Sequence, residues 1–507
     1  MTTQAVGIRS LAVSFPRSIR TNQYWLQKFP EWGVQTLQRQ ARPPRSVEVA
    51  DDQNGLDLWL QEVTPYLHDP FRGSVNRYVL SADESARTLE SRAAQSALDA
   101  ANLTPEDVDL AIVAALFPET VGPGHAAHLA HDLGLRCPAW NLESTCSSAL
   151  IALQNAQALV QTGVYRNVLI VVSQMGSHSV HEADTLSWSM GDSAGAFVVG
   201  CASPGQGILS TTILSTANTR GAYRHELAID PHGHPWLQTR TGEDVSILAE
   251  TAVDFVRDCC QAAVRAADVS LDRIDFFVFN TPTAWYANVC VKALGIAPER
   301  TLNLYPQYAN IGPVFPVANL YHAVLAEKIR ENDLVLVYTN GAGATAAATV
   351  MRWGNVALGR VSADSVSPLP LKEPVYLAAQ PLSRETSAAG DGGFKAKLMA
   401  TAPEAQYSIL SAYLLDWLAN SQQLSPTQLH PQLCLVTLLD SLMAILFRSH
   451  IEAVLQVRVP MEQFFGDRTI DHLTQFLLHQ LAVSQLIVTE SGTPISSNQI
   501  EREIMSL

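Results

Sequence analysis

One cysteine, Cys146, stands in a setting that suits acyl chemistry. It lies in the stretch NLESTCSSALIALQNAQALV, residues 141–160, between small polar residues and an apolar run with helical spacing. The first N–H groups of a helix lack partners and its dipole is positive there, so we expect stabilisation of a Cys146 thiolate. A thiolate can take an acyl group from a thioester. A buried structural cysteine is the alternative interpretation of this position.

A serine further along the chain, Ser441, occupies a similar setting. It belongs to the stretch LDSLM at 439–443, which opens a second apolar run with helical spacing. Such a serine can carry a covalently attached group. Alternatively, Asp440 and Ser441 are plain capping residues, since both types are favoured where helices begin.

Composition excludes several classes of protein. The 507 residues include 47% hydrophobic and 16% charged residues, which is typical of a globular protein of two to four domains. The net charge of −15 argues against nucleic-acid binding. The seven cysteines show no disulfide or zinc spacing, and no apolar run reaches membrane-spanning length. We therefore predict a cytoplasmic protein with reduced thiols, no metal site and no membrane partner.

The first 353 residues alternate strand-like and helix-like segments, which predicts an α/β fold with covered central sheets. Buried strands are predicted at five places: 108–117, 167–175, 194–200, 274–282 and 334–343. Amphipathic helices are predicted at 84–103, 147–163 and 247–267. The segments TPEDVDLAIVAALFPET and SLDRIDFFVFNTPTAWY share one pattern, which hints at an internal duplication.

The character of the chain changes after Trp353. A Pro-, Ala-, Ser- and Gly-rich segment is followed by three apolar helical patterns. We predict a first domain at 1–354, a linker at 355–402, a small all-α bundle at 403–485 and a tail at 486–507.

The motifs of residues 5–353 resemble the ketoacyl-ACP synthase III family of the thiolase fold. The resemblance rests on VGIRSLAVSFP, LGLRCPAWNLESTCSSALIAL, GDSAGAFVVG and NGAGATAAATVMRW, which occur in the family's order. It implies a duplicated βαβαβαββ core, a homodimer, and Cys146 as the acyl-accepting nucleophile. It also implies an oxyanion hole formed by the backbone N–H groups of Cys146 and Ala342.

The chain departs from that family at the position of its catalytic histidine. There DFFVFNTPTAWYA places Asn280, while the family's asparagine corresponds to Asn310 in QYANIGP. An amide can donate a hydrogen bond to an oxyanion, but it cannot shuttle a proton near neutral pH. His232 and His234 in DPHGHPW are candidate replacements, although loop histidines are commonly solvated surface residues.

The C-terminal segment resembles an acyl or peptidyl carrier domain, although Leu438 replaces the usual glycine of its G-x-D-S-L motif. The resemblance implies a 4′-phosphopantetheine arm on Ser441. A carrier tethered by about 50 residues would present its arm to Cys146 at a high local concentration.

Together these features predict an acyl-thioester transferase or condensing enzyme of specialised polyketide or fatty-acid-type biosynthesis, with an acyl-Cys146 intermediate. The missing histidine favours transfer without decarboxylation. Decarboxylative ketoacyl-ACP synthesis and a catalytically silent chain-holding module are the alternatives. The predicted partners are acyl-CoA or acyl-carrier donors and other polyketide or nonribosomal peptide assembly enzymes.

Overall fold

The computed structural model describes residues 4–29, 55–66, 69–230, 233–242, 245–360, 393–422, 429–439, 441–460, 463–464 and 467–490. The chain divides into two compact units, Met1–Gln380 and Pro381–Leu507. The first is α/β and the described helices of the second form an all-α unit, which confirms the predicted fold class.

The strands of the first unit are β1 Val6–Ser14, β2 Ser18–Thr21, β3 Asn76–Val79, β4 Leu110–Leu116, β5 Ala139–Asn141, β6 Val168–Met175, β7 Asp192–Cys201, β8 Gly207–Ser215, β9 Tyr223–Ile229, β10 Pro235–Thr241, β11 Phe276–Phe279, β12 Leu334–Asn340, β13 Thr345–Arg352 and β14 Ala357–Leu358. They form a six-stranded sheet, β14-β1-β7-β6-β4-β5, and a four-stranded sheet, β11-β12-β13-β8. Two antiparallel pairs, β2-β3 and the hairpin β9-β10, stand outside these sheets.

The two main sheets repeat one topology. In the first, β4 and β6 are parallel, whereas β6-β7 and β7-β1 are antiparallel. In the second, β11 and β12 are parallel, whereas β12-β13 and β13-β8 are antiparallel. Each half therefore places its strands in the same relative order, and the duplication hinted at by the sequence is present in the fold.

The helices of the first unit are α1 Asn22–Lys28, α2 Gly55–Val63, α3 Ala86–Ala100, α4 His125–Leu133, α5 Ser148–Gln161, α6 Ser246–Ala266, α7 Tyr286–Leu294, α8 Tyr305–Tyr308 and α9 Phe315–Leu325. Helix α3 begins where the side chain of Ser85 accepts a hydrogen bond from the Thr88 N–H. Helix α4 ends at Gly134, whose φ of 69° lies in the left-handed region that favours glycine.

Helices α5 and α9 lie in the main hydrophobic core between the two sheets. Their buried residues pack with alternating residues of β1, β6 and β12 in one cluster. Strand β6 is buried along its whole length, as expected for a strand covered on both faces. Helix α5 is important for the candidate site because Cys146 lies in the turn that directly precedes its first residue, Ser148.

The second unit contains α10 Phe394–Met399, α11 Pro403–Gln422, α12 Leu435–Leu438, α13 Ser441–Leu455 and α14 Ile470–Glu490. Its helices are held by buried leucines and by aromatic stacking of Trp417 on Phe447, with ring centroids 4.5 Å apart. The Tyr407 hydroxyl also donates to the Asp471 carboxylate at 2.5 Å, which links α11 to α14.

Two short elements lie within the range predicted as a linker, 355–402. Strand β14 pairs with β1, and α10 packs on α11 and α13, where Phe394 stacks on Tyr413 at 4.0 Å. The part of the predicted linker between them, 361–392, and the tail beyond Glu490 lie outside the described residues. The domain boundaries themselves remain predictions.

Among the described residues, no helix combines the length and apolar character needed to cross a membrane. All seven cysteines are free thiols.

A buried histidine in the core predicts an acid-dependent stability. His322 on α9 is 3% exposed, its Nε2 lies 2.8 Å from the Tyr308 hydroxyl, and burial lowers its pKa to about 4. The unfolded chain binds a proton near the ordinary pKa of about 6.5, so stability present above pH 6.5 is lost as the pH falls towards 4. This loss amounts to about 3 kcal/mol.

Chemical denaturation of wild type and His322→Gln at pH 7 and pH 4 measures that loss. Glutamine offers the Tyr308 hydroxyl an acceptor but does not titrate, so we expect a smaller acid destabilisation in the variant. His131→Gln, which removes an exposed histidine, is the matched control. Equal acid dependence in wild type and His322→Gln would contradict the prediction.

Candidate active site

The predicted nucleophile lies in a short 3₁₀ turn, Thr145–Ser147, called the cysteine turn below, which leads directly into α5. Thr145 has a φ of 46°, a conformation that is strained for a β-branched residue. Its N–H donates to the Glu143 carboxylate at 2.5 Å, which compensates part of that strain. The turn presents Cys146 half-buried at the beginning of the helix.

Hydroxyl groups from the second half of the fold hold the cysteine turn. The hydroxyls of Ser144 and Thr345 lie 2.7 Å apart, and the Ser147 hydroxyl donates to the Thr345 carbonyl at 2.7 Å. The Thr339 hydroxyl donates to the Ser147 hydroxyl at 3.0 Å. Because Thr339 and Thr345 end β12 and begin β13, the candidate site lies where the two halves of the duplication meet.

The expected stabilisation of a resting thiolate is wrong. Burial raises the pKa of Cys146 to about 12, the Glu143 carboxylate adds to that rise, and the cysteine's own backbone N–H opposes it. Desolvation of the charged form therefore outweighs the favourable field of the helix N-terminus. The resting group is a neutral thiol, and it needs a proton acceptor before it can attack a thioester.

Asn280 follows the last residue of β11 and is fully buried. Its Nδ2 donates to the Gly312 carbonyl at 2.8 Å. Its Oδ1 is buried and has no hydrogen-bond partner among the described residues. Asn280 therefore connects the end of β11 to the turn Gly312–Val314, which packs against the cysteine turn.

Asn310 stands on the same connected loop. Its Oδ1 accepts the Gly312 N–H at 2.9 Å, so its NH₂ group is directed away from that contact. Its carbonyl accepts from Gln174 Nε2 at 2.6 Å. The preceding residue, Ala309, has a φ of 55°, which is a strained conformation for alanine. Strain and hydrogen bonds together specify one conformation for this loop.

The glycine-rich loop after β12 approaches the cysteine turn closely. A Cβ added to Gly341 would lie 2.2 Å from the Thr145 hydroxyl oxygen and 2.7 Å from the Ser144 carbonyl. The N–H groups of Gly341 and Gly343 are bound to the Thr345 carbonyl and the Thr219 hydroxyl. The amide of Ala342, between them, has no hydrogen-bond partner in the described part of the chain.

Two side chains that interact electrostatically with Cys146, Glu143 and Tyr223, were missed in the sequence analysis, as was His225 on the same strand as Tyr223. Burial raises the pKa of Tyr223, and the nearby Cys146 adds to that rise. Burial lowers the pKa of His225, while the Glu143 carboxylate opposes that change. Tyr223 and His225 belong to β9, whose alternating residues and Pro/Gly-rich turn to β10 would have indicated a hairpin.

Of the two histidines proposed from the sequence, His234 lies elsewhere on that hairpin and His232 is not described. His234 lies beside the turn at the hairpin tip, with an exposed side chain, and its Nδ1 is 3.5 Å from the Asp230 carboxylate. His232 lies outside the described residues. The described structure gives His234 no contact with Asn280, Asn310 or the cysteine turn.

Ser441, the predicted attachment residue, is the first residue of α13, a helix of 15 residues. Its side chain and Asp440 lie outside what the structure describes.

Comparison with known families matches three ranges of the chain. Residues 140–217 match the 3-oxoacyl-[acyl-carrier-protein (ACP)] synthase III model, and residues 264–353 match the model of its C-terminal part. Residues 439–477 match the phosphopantetheine attachment site model.

Among curated relatives, the β-ketoacyl-[acyl-carrier-protein] synthase III of Chelativorans sp. is 30% identical over 327 residues, 62% of this chain and 97% of the relative. The corresponding enzyme of Brucella canis is 28% identical over 319 residues, 61% of this chain and 96% of the relative.

Solved structures show the same fold. The Aquifex aeolicus 3-oxoacyl-[acyl-carrier-protein] synthase III covers 69% of this chain and 100% of its own length at 23% identity and a TM-score of 0.55. Xanthomonas campestris OleA, solved with bound lauric acid and lauroyl-CoA, covers 69% of this chain and 100% of its own length at 16% identity and a TM-score of 0.55. The chain therefore belongs to the β-ketoacyl-[acyl-carrier-protein] synthase III family of condensing enzymes, with a phosphopantetheine-binding carrier domain fused at its C-terminal end.

Proposed function

We propose that this chain is an acyl-thioester transferase of specialised polyketide or fatty-acid-type biosynthesis that forms an acyl-Cys146 intermediate. The observation that carries the proposal is the cysteine turn at the start of α5, held by both halves of the fold, in a chain that also contains a carrier domain. We also propose a cytoplasmic location, because seven free thiols suit a reducing compartment.

Acyl loading requires attack of Cys146 Sγ on the carbonyl carbon of a donor thioester and departure of the donor thiol. The negative charge that develops on the carbonyl oxygen needs positioned donors. The backbone N–H groups of Cys146 and Ala342 fill this role in our proposal. The internal hydrogen bonds of Gly341 and Gly343 keep the glycine-rich loop in one conformation, which supports Ala342 as a preorganised donor.

The environment of Asn280 favours transfer over decarboxylation. One amide hydrogen of Asn280 is used by the Gly312 carbonyl, and the unpartnered atom is Oδ1, an acceptor. Oδ1 would repel an enolate oxygen, the second hydrogen of Nδ2 can still donate to one, and neither atom can shuttle a proton near neutral pH. The remaining role, a donor to the thioester carbonyl, falls to the NH₂ group of Asn310, whose Oδ1 is already bound to Gly312.

The carrier domain supplies the second thioester. Ser441 begins α13, so a phosphodiester on its hydroxyl would lie at the positive end of a helix dipole. The 4′-phosphopantetheine arm, when attached, contributes a terminal thiol that can carry or accept the acyl group. Donors are acyl-CoA or other acyl carriers, and we propose polyketide or nonribosomal peptide assembly enzymes as further partners.

Intact-protein mass spectrometry of the phosphopantetheinylated chain, incubated with simple acyl and malonyl donors, tests the proposed reaction. We expect wild type to gain an acyl mass on Cys146, which Cys146→Ala cannot gain. The acyl group should then pass to the phosphopantetheine arm, which only a chain with Ser441 carries. Ser441→Ala is the control that retains Cys146 loading. A malonyl group is expected to keep its carboxylate.

Loss of carbon dioxide with formation of a ketoacyl product would contradict the proposed transfer and support decarboxylative condensation. Absence of Cys146-dependent labelling with every donor would instead favour a silent chain-holding module.

A methyl group at Gly341 should disable acyl loading without unfolding the protein. The added Cβ would be 2.2 Å from the Thr145 hydroxyl and must displace the cysteine turn or the Ala342 amide. We expect Gly341→Ala to slow formation of acyl-Cys146 by roughly 10²-fold, as removal of an oxyanion donor does.

The matched control is Gly354→Ala, whose Cβ would meet only the Gln206 side-chain oxygen at 3.0 Å. Single-turnover loading rates decide the comparison, and equal rates for the two variants would contradict it.

We also propose that two copies of the chain pair through β5. This strand is the edge of the six-stranded sheet, and Trp140 on it is 38% exposed. An unpaired edge with an exposed aromatic residue is a surface on which a second strand can add.

Sedimentation velocity measures this association. Wild type is expected to sediment as a dimer, and Trp140→Asp is expected to shift the population towards monomer because it buries an unpaired charge. Val164→Asp, at a residue that is 70% exposed in the turn after α5, is the control. A monomeric wild type, or a dimer unaffected by Trp140→Asp, would contradict the prediction.

A further inference from the structure

Asn310 belongs to the second half of the duplicated fold, but its backbone is held by the first half. Its N–H donates to the Ser189 carbonyl at 2.8 Å, and its carbonyl accepts the Gly191 N–H at 3.0 Å. The same carbonyl accepts from Gln174 Nε2 at 2.6 Å. In the described part of the chain, Gln174 is the only residue whose side chain forms a hydrogen bond with the backbone of Asn310.

Gln174 is a polar residue in an apolar strand. It is the last residue but one of β6, which is buried along its whole length, and Gln174 is 2% exposed. The first five residues of the strand, VLIVV, are all apolar. A buried amide needs hydrogen-bond partners, and Nε2 finds them in the Asn310 carbonyl and, at 3.4 Å, the Gly191 carbonyl. The polar side chain is therefore explained by the loop that it holds, since the sheet has no need of it.

The loop that contains Asn310 lies directly against Gln174. A Cβ added to Gly312 would lie 1.8 Å from Gln174 Oε1, and the φ of 48° at Gly312 is in the left-handed region that favours glycine. A Cβ added to Gly191 would lie 2.2 Å from the Tyr308 carbonyl. Because the Gln174 amide and this loop are in close contact, a change in that amide is passed on to the loop.

The loop conformation is one that the chain would not adopt without such contacts. Ala309 has a φ of 55° and a ψ of −154°, a combination that is almost restricted to glycine. The Ala309 N–H donates to the Tyr305 carbonyl at 2.8 Å, which fixes one side of the strained residue. The bond from Gln174 to the Asn310 carbonyl fixes the other side. Loss of that bond would allow the strain to relax by rotation of the peptide groups beside Asn310.

These contacts leave one polar group of Asn310 for a substrate. Its backbone groups are bound as described above, and its Oδ1 accepts the Gly312 N–H at 2.9 Å. Its NH₂ group has no hydrogen-bond partner in the described ranges, and the residue is half-buried. Gly312 begins the turn Gly312–Val314, which packs against the cysteine turn. The direction of the NH₂ group therefore depends on the same loop that Gln174 holds.

We propose that Gln174 is a positioning residue for acyl transfer, which acts by holding the Asn310 carbonyl so that the Asn310 NH₂ group is directed at the carbonyl oxygen of the donor thioester. This inference rests on the proposed function. Gln174 exchanges no proton, because an amide does not titrate near neutral pH. It keeps a donor in place where negative charge develops as Cys146 Sγ attacks, so its loss lowers the maximal rate of acylation and not the affinity for the donor.

A double-mutant cycle on single-turnover acylation of Cys146 by an acyl-CoA, in the full-length protein, tests the role of Gln174. Gln174→Met removes the hydrogen-bond donor but keeps an unbranched side chain. We expect it to lower the maximal rate constant about tenfold, because a misplacement of about 1 Å can cost up to 10²-fold. The half-saturating donor concentration should change by less than about twofold.

The cycle is completed by Asn310→Ala, which should lower the maximal rate constant roughly 10²-fold. Adding Gln174→Met to Asn310→Ala should then change the rate by less than about twofold, because Gln174 acts through Asn310. The matched control is Gln157→Met on α5, where Gln157 Nε2 donates to the Ile208 carbonyl at 3.2 Å. This control should acylate Cys146 at the wild-type rate.

A purely structural role gives a different pattern. An equal loss of rate on Gln174→Met in the wild-type and Asn310→Ala backgrounds would overturn the proposal. A wild-type rate in Gln174→Met, or a loss confined to donor affinity, would do the same. Circular dichroism verifies that each variant is folded. Should Gln174→Met not fold, Gln174→Asn takes its place in the cycle, because its amide is one methylene too short to reach the Asn310 carbonyl.

Failure of the proposed function is distinguishable from failure of this inference. If wild type forms no acyl-Cys146 with any donor, the proposed transfer fails, and crystal structures of wild type and Gln174→Met still test the positioning. We expect Asn310 Nδ2 to move by about 1 Å or more in Gln174→Met and to keep its wild-type position in Gln157→Met. An Asn310 amide that stays in place in Gln174→Met overturns the inference, whatever the outcome for acyl transfer.

Discussion

The site depends on the hydroxyl contacts that join the cysteine turn to the opposite half of the fold. Ser147 donates to the Thr345 carbonyl and accepts from Thr339, while Ser144 contacts the Thr345 hydroxyl. These groups are buried or nearly so, and breaking one partner would leave another unsatisfied. The strained conformation of Thr145 persists only because this set of contacts specifies it. Duplication of the fold thus supplies the second surface against which the reactive residue is held.

The sequence predicted the elements that have strong periodicity. The predicted strands 108–117 and 167–175 correspond to Leu110–Leu116 and Val168–Met175, and the helix predicted at 147–163 is Ser148–Gln161. Such buried or amphipathic segments carry their structure in local patterns. The position of Cys146 at the start of a helix was predicted for the same reason, because the periodic run shows where that helix begins.

Local sequence patterns could not predict the effects of tertiary structure on these side chains. The pKa of Cys146 depends on how much protein surrounds the thiol, and no spacing rule reports that burial. His225 lies far along the chain from Cys146, on a hairpin outside both main sheets, with its Nδ1 3.0 Å from the Thr239 hydroxyl. The sequence directed attention to His232 and His234 by their turn-like surroundings, whereas the His234 side chain is exposed near the hairpin tip, with its Nδ1 3.5 Å from the Asp230 carboxylate.

Asn280, which the sequence resemblance aligns with a histidine of the family, also affects its surroundings. A buried histidine beside Gly312 would have to titrate in a desolvated place, whereas asparagine connects β11 to the Gly312–Val314 turn without any change of charge. The cost is that an orphan acceptor, Oδ1, is left in the site. A carbonyl oxygen of the substrate would avoid that atom, and in our proposal it is received by the backbone N–H groups of Cys146 and Ala342 and by the NH₂ group of Asn310.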